Sequence, residues 1–130
     1  MNKSYFILAG LLFLSINCFS QDAVKSDISA ALKAGDASKM TEHLHVTVDL
    51  NTPGINNAVS KNQAIQILKD FFDKNPPSSY TRNHEGSSKD GSVYIIGTYL
   101  TTGATNYRTY FLLKKFDGQF RIVQIQFEEQ

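Results

Sequence analysis

This chain of 130 residues is poor in cysteine, in net charge and in long apolar runs. Its one cysteine, Cys18, lies close to the start, so the chain beyond Ser20 can form no disulfide, no zinc-thiolate site and no cysteine nucleophile. The 13 Lys and Arg residues nearly balance the 12 Asp and Glu. That balance gives no electrostatic reason to expect nucleic acid or an anionic membrane as partner. The longest apolar stretch, Tyr5 to Ile16, is a dozen residues, short of the ~20 that a membrane-spanning helix needs. No Gly-x-Ser-x-Gly, P-loop or dinucleotide fingerprint is present, nor any internal repeat or low-complexity tract.

The start of the chain does carry a signal. Basic Lys3, the apolar run and the small residues Cys18 and Ser20 before Gln21 have the three-part form of a secretory leader. Residues 1–20 are therefore expected to be a signal peptide cleaved after Ser20, and residues 21–130 a single exported domain, periplasmic or extracellular. A lipoprotein acylated at Cys18 is the alternative; Asn17 departs from the Gly or Ala expected before such a cysteine. Without Lys3 the basic and acidic residues balance at 12 each. A cysteine-free domain of roughly 110 residues must hold together by its core, and that length suffices.

In the mature region Val24, Ile28, Ala31 and Leu32 recur at helical spacing, with Asp22 as expected N-cap and Gly35 as the stop. Asp36 then caps a short second helix in which Ala37, Met40 and Leu44 share a face. Val46, Val48 and Leu50 alternate with polar residues as a half-buried strand that ends at Thr52-Pro53-Gly54. A short return, Ile55 to Val59, leads to Ser60 and Gln63, which have capping-box spacing for a third helix. Its apolar stripe runs from Ala64 to Phe72 and stops at Asn75-Pro76-Pro77. Segments 80–85, 92–101, 106–116 and 119–128 read as strands, the last two joined by the Asp117-Gly118 turn, so the chain ends in an antiparallel meander. The fold class is α+β.

Two segments resemble the nuclear-transport-factor-2-like superfamily. One is Ala31-Leu32-Lys33-Ala34-Gly35-Asp36, followed by Met40, Leu44 and the strand Val46 to Leu50. The other is the final hairpin, Lys115-Phe116-Asp117-Gly118-Gln119-Phe120-Arg121-Ile122. The resemblance implies N-terminal helices packed on a strongly curved antiparallel sheet, a cone whose mouth can hold a small molecule. Its members include isomerases, dehydratases, accessory subunits and small exported proteins, so the fold leaves function open. Within such a cone Ile65, Phe72, Tyr99 and Phe111 are the candidate ligand contacts.

In the isomerases of that superfamily a general-base Asp lies near the end of the first strand, and Asp49 occupies the matching region. The alternation nevertheless favours a solvent-facing Asp49. Tyr99, Tyr107 and Tyr110 could supply a hydroxyl to an oxyanion, but no carboxylate between Gly91 and Lys115 stands beside them. His43 and His45 lack a third ligand, so no metal is expected, and no cofactor. Arg82, Arg108 and Arg121 have the bidentate chemistry for an anionic ligand, although solvated strand faces are their usual place. Tyr94, Ile96 and Leu100 alternate with Val93, Ile95 and Tyr99, which makes both faces of the sheet partly apolar. The expected partners are a small apolar or amphipathic ligand, or a second copy packed on the outer sheet face as a homodimer. Nucleic acid is not expected, nor a membrane unless Cys18 carries lipid. The leading functional expectation is an exported, non-catalytic binding domain. The alternatives are an isomerase- or dehydratase-like enzyme with Asp49 as base, and an interaction module whose cone is filled by its own Ile65, Phe72 and Phe111. Enclosure of Asp49 in a cavity discriminates the enzyme reading.

Overall fold

A computed structural model describes residues 20–130. Lys3, the apolar run 5–16 and Cys18, with the expectations that rest on them, lie outside the described residues. Helix α1 spans Gln21–Ala34, and its N-cap is Ser20, whose hydroxyl accepts from the Ala23 N–H at 3.3 Å. Asp22, expected to be the cap, sits instead in the first turn, where a carboxylate favours the helix dipole. Gly35 ends α1 at φ 65°, as its sequence position implied. Asp36 then caps the next segment by accepting from the Ser38 N–H at 3.0 Å, and the Ser38 hydroxyl draws the Asp36 carboxyl below its ordinary range. That segment is a 3₁₀ helix, Ala37–His43. Leu44, expected on its apolar face, instead caps that helix in extended backbone and opens strand β1.

Strands β1 (Leu44–Thr52) and β2 (Ile55–Ser60) form a hairpin, followed by helix α2 (Lys61–Lys74) with the Ser60–Gln63 capping box in place. Strands β3 (Pro77–Ser87), β4 (Val93–Thr101), β5 (Asn106–Phe116) and β6 (Gln119–Glu129) complete the chain. The sheet order is β2-β1-β6-β5-β4-β3. Every neighbouring pair is antiparallel except β1 with β6, which is parallel. Three helices thus pack on one face of a curved, unclosed six-stranded sheet.

The core lies between the helices and that inner face. Ile28 and Leu32 of α1, Met40, Leu68 of α2, and Ile95, Phe111, Ile122 and Ile125 of the sheet are all fully buried. Burying each such side chain contributes about 1.5–3 kcal/mol, enough to dispense with cross-links. Val46 breaks the alternation expected of β1. It is 72% exposed, because β1 carries a wide bulge between Leu44 and Asp49, where it runs past only Ile122 to Gln124 of β6. Among the described residues no helix is long and apolar enough to cross a membrane.

Candidate functional site: a filled cone and two surfaces

The interior of the curved sheet is occupied by aromatic rings. From α2, Phe71 and Phe72 project onto the sheet; the Phe71 ring centre lies 4.6 Å from that of Phe127 and 5.2 Å from that of Tyr107. Phe72 meets Tyr99 at 5.7 Å, Tyr99 meets Phe127 at 5.6 Å, and Phe111 adjoins Phe127 at 6.4 Å. Most of these contacts are tilted or edge-on, the favourable arrangements for packed rings. Of the four candidate ligand contacts, Phe72, Tyr99 and Phe111 are therefore core residues, at most 2% exposed. Ile65 alone is partly open, on a depression of ≈330 Å³ beside Gly35, Asp36 and Lys69.

The tyrosine hydroxyls in this cluster are already engaged. Tyr99 Oη donates to the Asn75 carbonyl at 2.6 Å, and Tyr107 Oη donates to Asn75 Oδ1 at 3.3 Å. Both bonds hold the residue that ends α2, so they fasten the helix to the sheet rather than face a substrate. Burial pushes the Tyr99 hydroxyl well above the ordinary tyrosine range, with Tyr107 adding a smaller push in the same direction. Tyr80 closes the β3 side. Its ring lies across Gly97, where a Cβ would come within 2.7 Å of it, and burial raises its hydroxyl too, opposed in part by Thr109. Gly97 is the register partner of Thr109, so one glycine lets a β3 side chain cross β4 toward β5.

Asp49 stands elsewhere. It is exposed on the face opposite Val48 and Leu50, paired in register with Ala58 and Gln124. The enclosure that a general base of the expected kind requires is not formed around it. The three histidines are separated as well. His43 is buried with Nε2 2.6 Å from Asp27 Oδ2, His45 stacks on Phe116, and His84 lies beside Tyr94. No group of His, Cys, Asp or Glu among the described residues could hold a metal ion. Arg121 donates to the Glu42 carbonyl at 3.1 Å, Arg82 lies 3.7 Å from Glu85, and Arg108 is opposite Glu128, so the arginines do not converge.

What remains accessible is surface. One open groove of ≈840 Å³ runs between α1 and β3, lined by Asp22, Ser26, Ser29, Lys33, Thr81 and Arg82. The outer sheet face is built from cross-strand rows. Gln124, Leu112 and Tyr94 form one, and Gln126, Tyr110 and Ile96 the next. Leu112, Tyr94, Tyr110 and Ile96 are half-buried and contiguous on β4 and β5. Tyr94 lies over Gly86 of β3, where a Cβ would meet its hydroxyl at 2.5 Å. This outer pair mirrors Tyr80 over Gly97 on the inner face.

Comparison with known proteins agrees with this architecture. A family model described as a domain of unknown function, DUF4783, matches residues 25–128. The crystal structure of a DUF4783 family protein from Bacteroides ovatus is 30% identical, with a TM-score of 0.75 over 81% of this chain and 94% of that one. A second, from Bacteroides uniformis, is 25% identical, with a TM-score of 0.74 over 81% and 95% of the two chains. An NTF-2-like protein of unknown function from Silicibacter pomeroyi shares the fold at 13% identity, with a TM-score of 0.59 over 84% and 92%. None of the curated proteins matches the chain.

Proposed function

We propose that this chain, which belongs to the DUF4783 family of domains of unknown function, is an exported association module that pairs with a second copy through its outer sheet face. The filling of the cone by Phe71, Phe72, Tyr99, Tyr107, Phe111 and Phe127 carries this reading. A ligand could reach Phe72, Tyr99 or Phe111 only by displacing core, at about 3–5 kcal/mol for each aromatic side chain unseated.

The outer face has the character of an interface. Its centre is Tyr94, Ile96, Tyr110 and Leu112, bordered by uncharged Gln124, Gln126 and Thr98. Charges stand at the margins with both signs, Arg108 opposite Glu128 at one end, Asp49 and Lys114 toward the other. An isologous contact sets this patch on itself, and such a patch brings no block of like charge onto its centre. The leader-like composition of residues 1–20 supports export.

Sedimentation of the domain tests the pairing. At about 100 μM, a hundredfold above a micromolar dissociation constant, the native domain is expected to sediment as a dimer. Ile96→Asp and Tyr110→Asp are expected to be monomeric with unchanged circular dichroism. A native domain that is monomeric at that concentration, or variants that remain dimeric, would overturn the reading.

A further inference from the structure

A second surface, at one end of the strands, has a different composition. Val46 and Phe116 are the large apolar side chains exposed among the described residues, at 72% and 36%. The His45 ring lies flat on Phe116, centres 4.2 Å apart and planes within 6°. Phe120 is half-buried nearby, with Lys115 Nζ 5.7 Å from its ring centre. Lys114 pairs in register with Arg121, and Lys115 with Phe120, so cations flank the rings on the β5–β6 hairpin. Aromatic and apolar side chains edged by long cationic ones suit the boundary between headgroups and acyl chains.

The path of the chain supplies an independent reason. Near its start, α1 is tied by Lys25 to Glu85 at 3.2 Å and by Asp27 to His43, beside Leu44. Glu85 is the partner of Ile95, and Leu44 of Ile122, which is one rung from the Lys114–Arg121 pair. The far end of α1, at Gly35, abuts Pro77, which pairs with Thr101 at the opposite end of the sheet. Ser20 therefore enters at the same end as Phe116 and Val46. The apolar run ends at Ile16 and the lone cysteine is Cys18. That run ends four positions before Ser20.

We infer that in a form of the protein acylated at Cys18, the alternative to cleavage after Ser20, this rim is a bilayer-contact surface that holds the domain upright on the membrane. Val46 and Phe116 enter the interfacial layer, while Lys114 and Lys115 meet lipid phosphates. Glu42, Asp90 and Asp117 stand at the same end, together with Lys89. The rim as a whole thus carries little net charge, and the contact rests on the apolar side chains with weak dependence on salt. A single lipid chain anchors only marginally, and a second signal close by on the same molecule makes the attachment stable. The rim supplies that second signal.

The sequence makes the test specific, because Cys18 is the only thiol and tryptophan is absent. The core is built from Val24 to Phe127, so residues 18–130 hold the whole folding unit. Coupled through Cys18 to a maleimide lipid in vesicles of equal parts phosphatidylethanolamine and phosphatidylglycerol, this protein can report depth from a single tryptophan. Phe116→Trp is expected to shift its emission to the blue and to lose about half of it to lipids brominated on their acyl chains. Tyr110→Trp, on the outer face, should lose almost none, and Val46→Asp added to Phe116→Trp should remove most of the quenching. Equal quenching at both positions, or none at Phe116→Trp, overturns the inference. So does a Phe116→Trp emission already shifted to the blue without vesicles, which would mark the rim as a protein contact.

Discussion

Replacing Tyr99 with phenylalanine deletes one oxygen from the interior and leaves the ring packed between Phe72 and Phe127. The hydrogen bond lost is the 2.6 Å donation to the Asn75 carbonyl, at the point where α2 ends. A neutral hydrogen bond is worth about 0.5–1.5 kcal/mol net, and leaving its buried partner unsatisfied brings the loss to about 1–3 kcal/mol. For a domain near 100 residues that lowers the melting temperature by about 5–15 °C. Urea unfolding followed by circular dichroism should show the lower midpoint with an unchanged slope. Alkaline pH sharpens the test. Burial raises the Tyr99 hydroxyl above its ordinary value of 10.0, so above that pH the unfolded chain releases a proton that the native protein keeps. The contribution of this group is therefore complete below pH 10 and falls as pH rises, by about 1.4 kcal/mol per pH unit. Tyr99→Phe has no such proton, so its deficit relative to the native protein should shrink between about pH 10 and 11. A deficit that stays constant across that range, or none at neutral pH, would refute the account of Tyr99 as a buried clamp on α2. Tyr107→Phe, whose bond to Asn75 is 3.3 Å long, should cost less.

Gly97→Ala should destabilise by about 3 kcal/mol, because the new Cβ would sit 2.6 Å from the Thr81 carbonyl oxygen as well as against the Tyr80 ring. In Gly86→Ala the nearest atoms to the new Cβ are those of the Tyr94 phenol, which can swing aside, so its cost in the same thermal melt should stay at about 1 kcal/mol; equal costs would contradict this contrast. Ser20→Ala should lower stability by about 1 kcal/mol through loss of the α1 cap. A chain that begins at Gln21 should lose as much or more, since its free amine faces the positive end of the helix, and chemical denaturation of the two chains side by side checks it.

Local chemistry explains which elements were legible in the sequence. Gly35 at positive φ, the Asp36 cap and the Ser60–Gln63 box are set by neighbouring residues, and each was readable from its position. Asp117 and Gly118, both at positive φ, turn the last hairpin as an Asp-Gly pair should. The four-strand meander followed from turns of this kind. Contacts between residues distant along the chain were not legible. Val46 alternates with its neighbours as a buried residue does, but it lies where the register of β1 against β6 shifts, and there it faces solvent. Tyr99 and Tyr107 were recognisable as hydroxyl carriers, yet their partner, Asn75, precedes them by 24 and 32 residues. The exposure of Asp49, by contrast, was legible, because the alternation of β1 sets it on the face opposite Val48 and Leu50.

The aromatic residues separate into three destinations, and the separation bears on how the two proposed contacts fit together. Among the described residues Phe71, Phe72, Tyr80, Tyr99, Tyr107, Phe111 and Phe127 fill the interior, Tyr94 and Tyr110 lie on the outer face, and Phe116 and Phe120 stand at the rim. The outer face contains the strand direction, whereas the rim caps one end of it. A pair formed on the outer face therefore leaves both rims uncovered. Where those rims point depends on the two-fold axis. An axis along the strands sets both rims against one bilayer, so each copy strengthens the attachment of the other. An axis across the strands sends the rims to opposite ends, and only one could then touch the membrane. Joint use of the two surfaces thus requires strands that run nearly parallel across the dimer contact, a geometry that aligned packing of twisted sheets at about 30° permits.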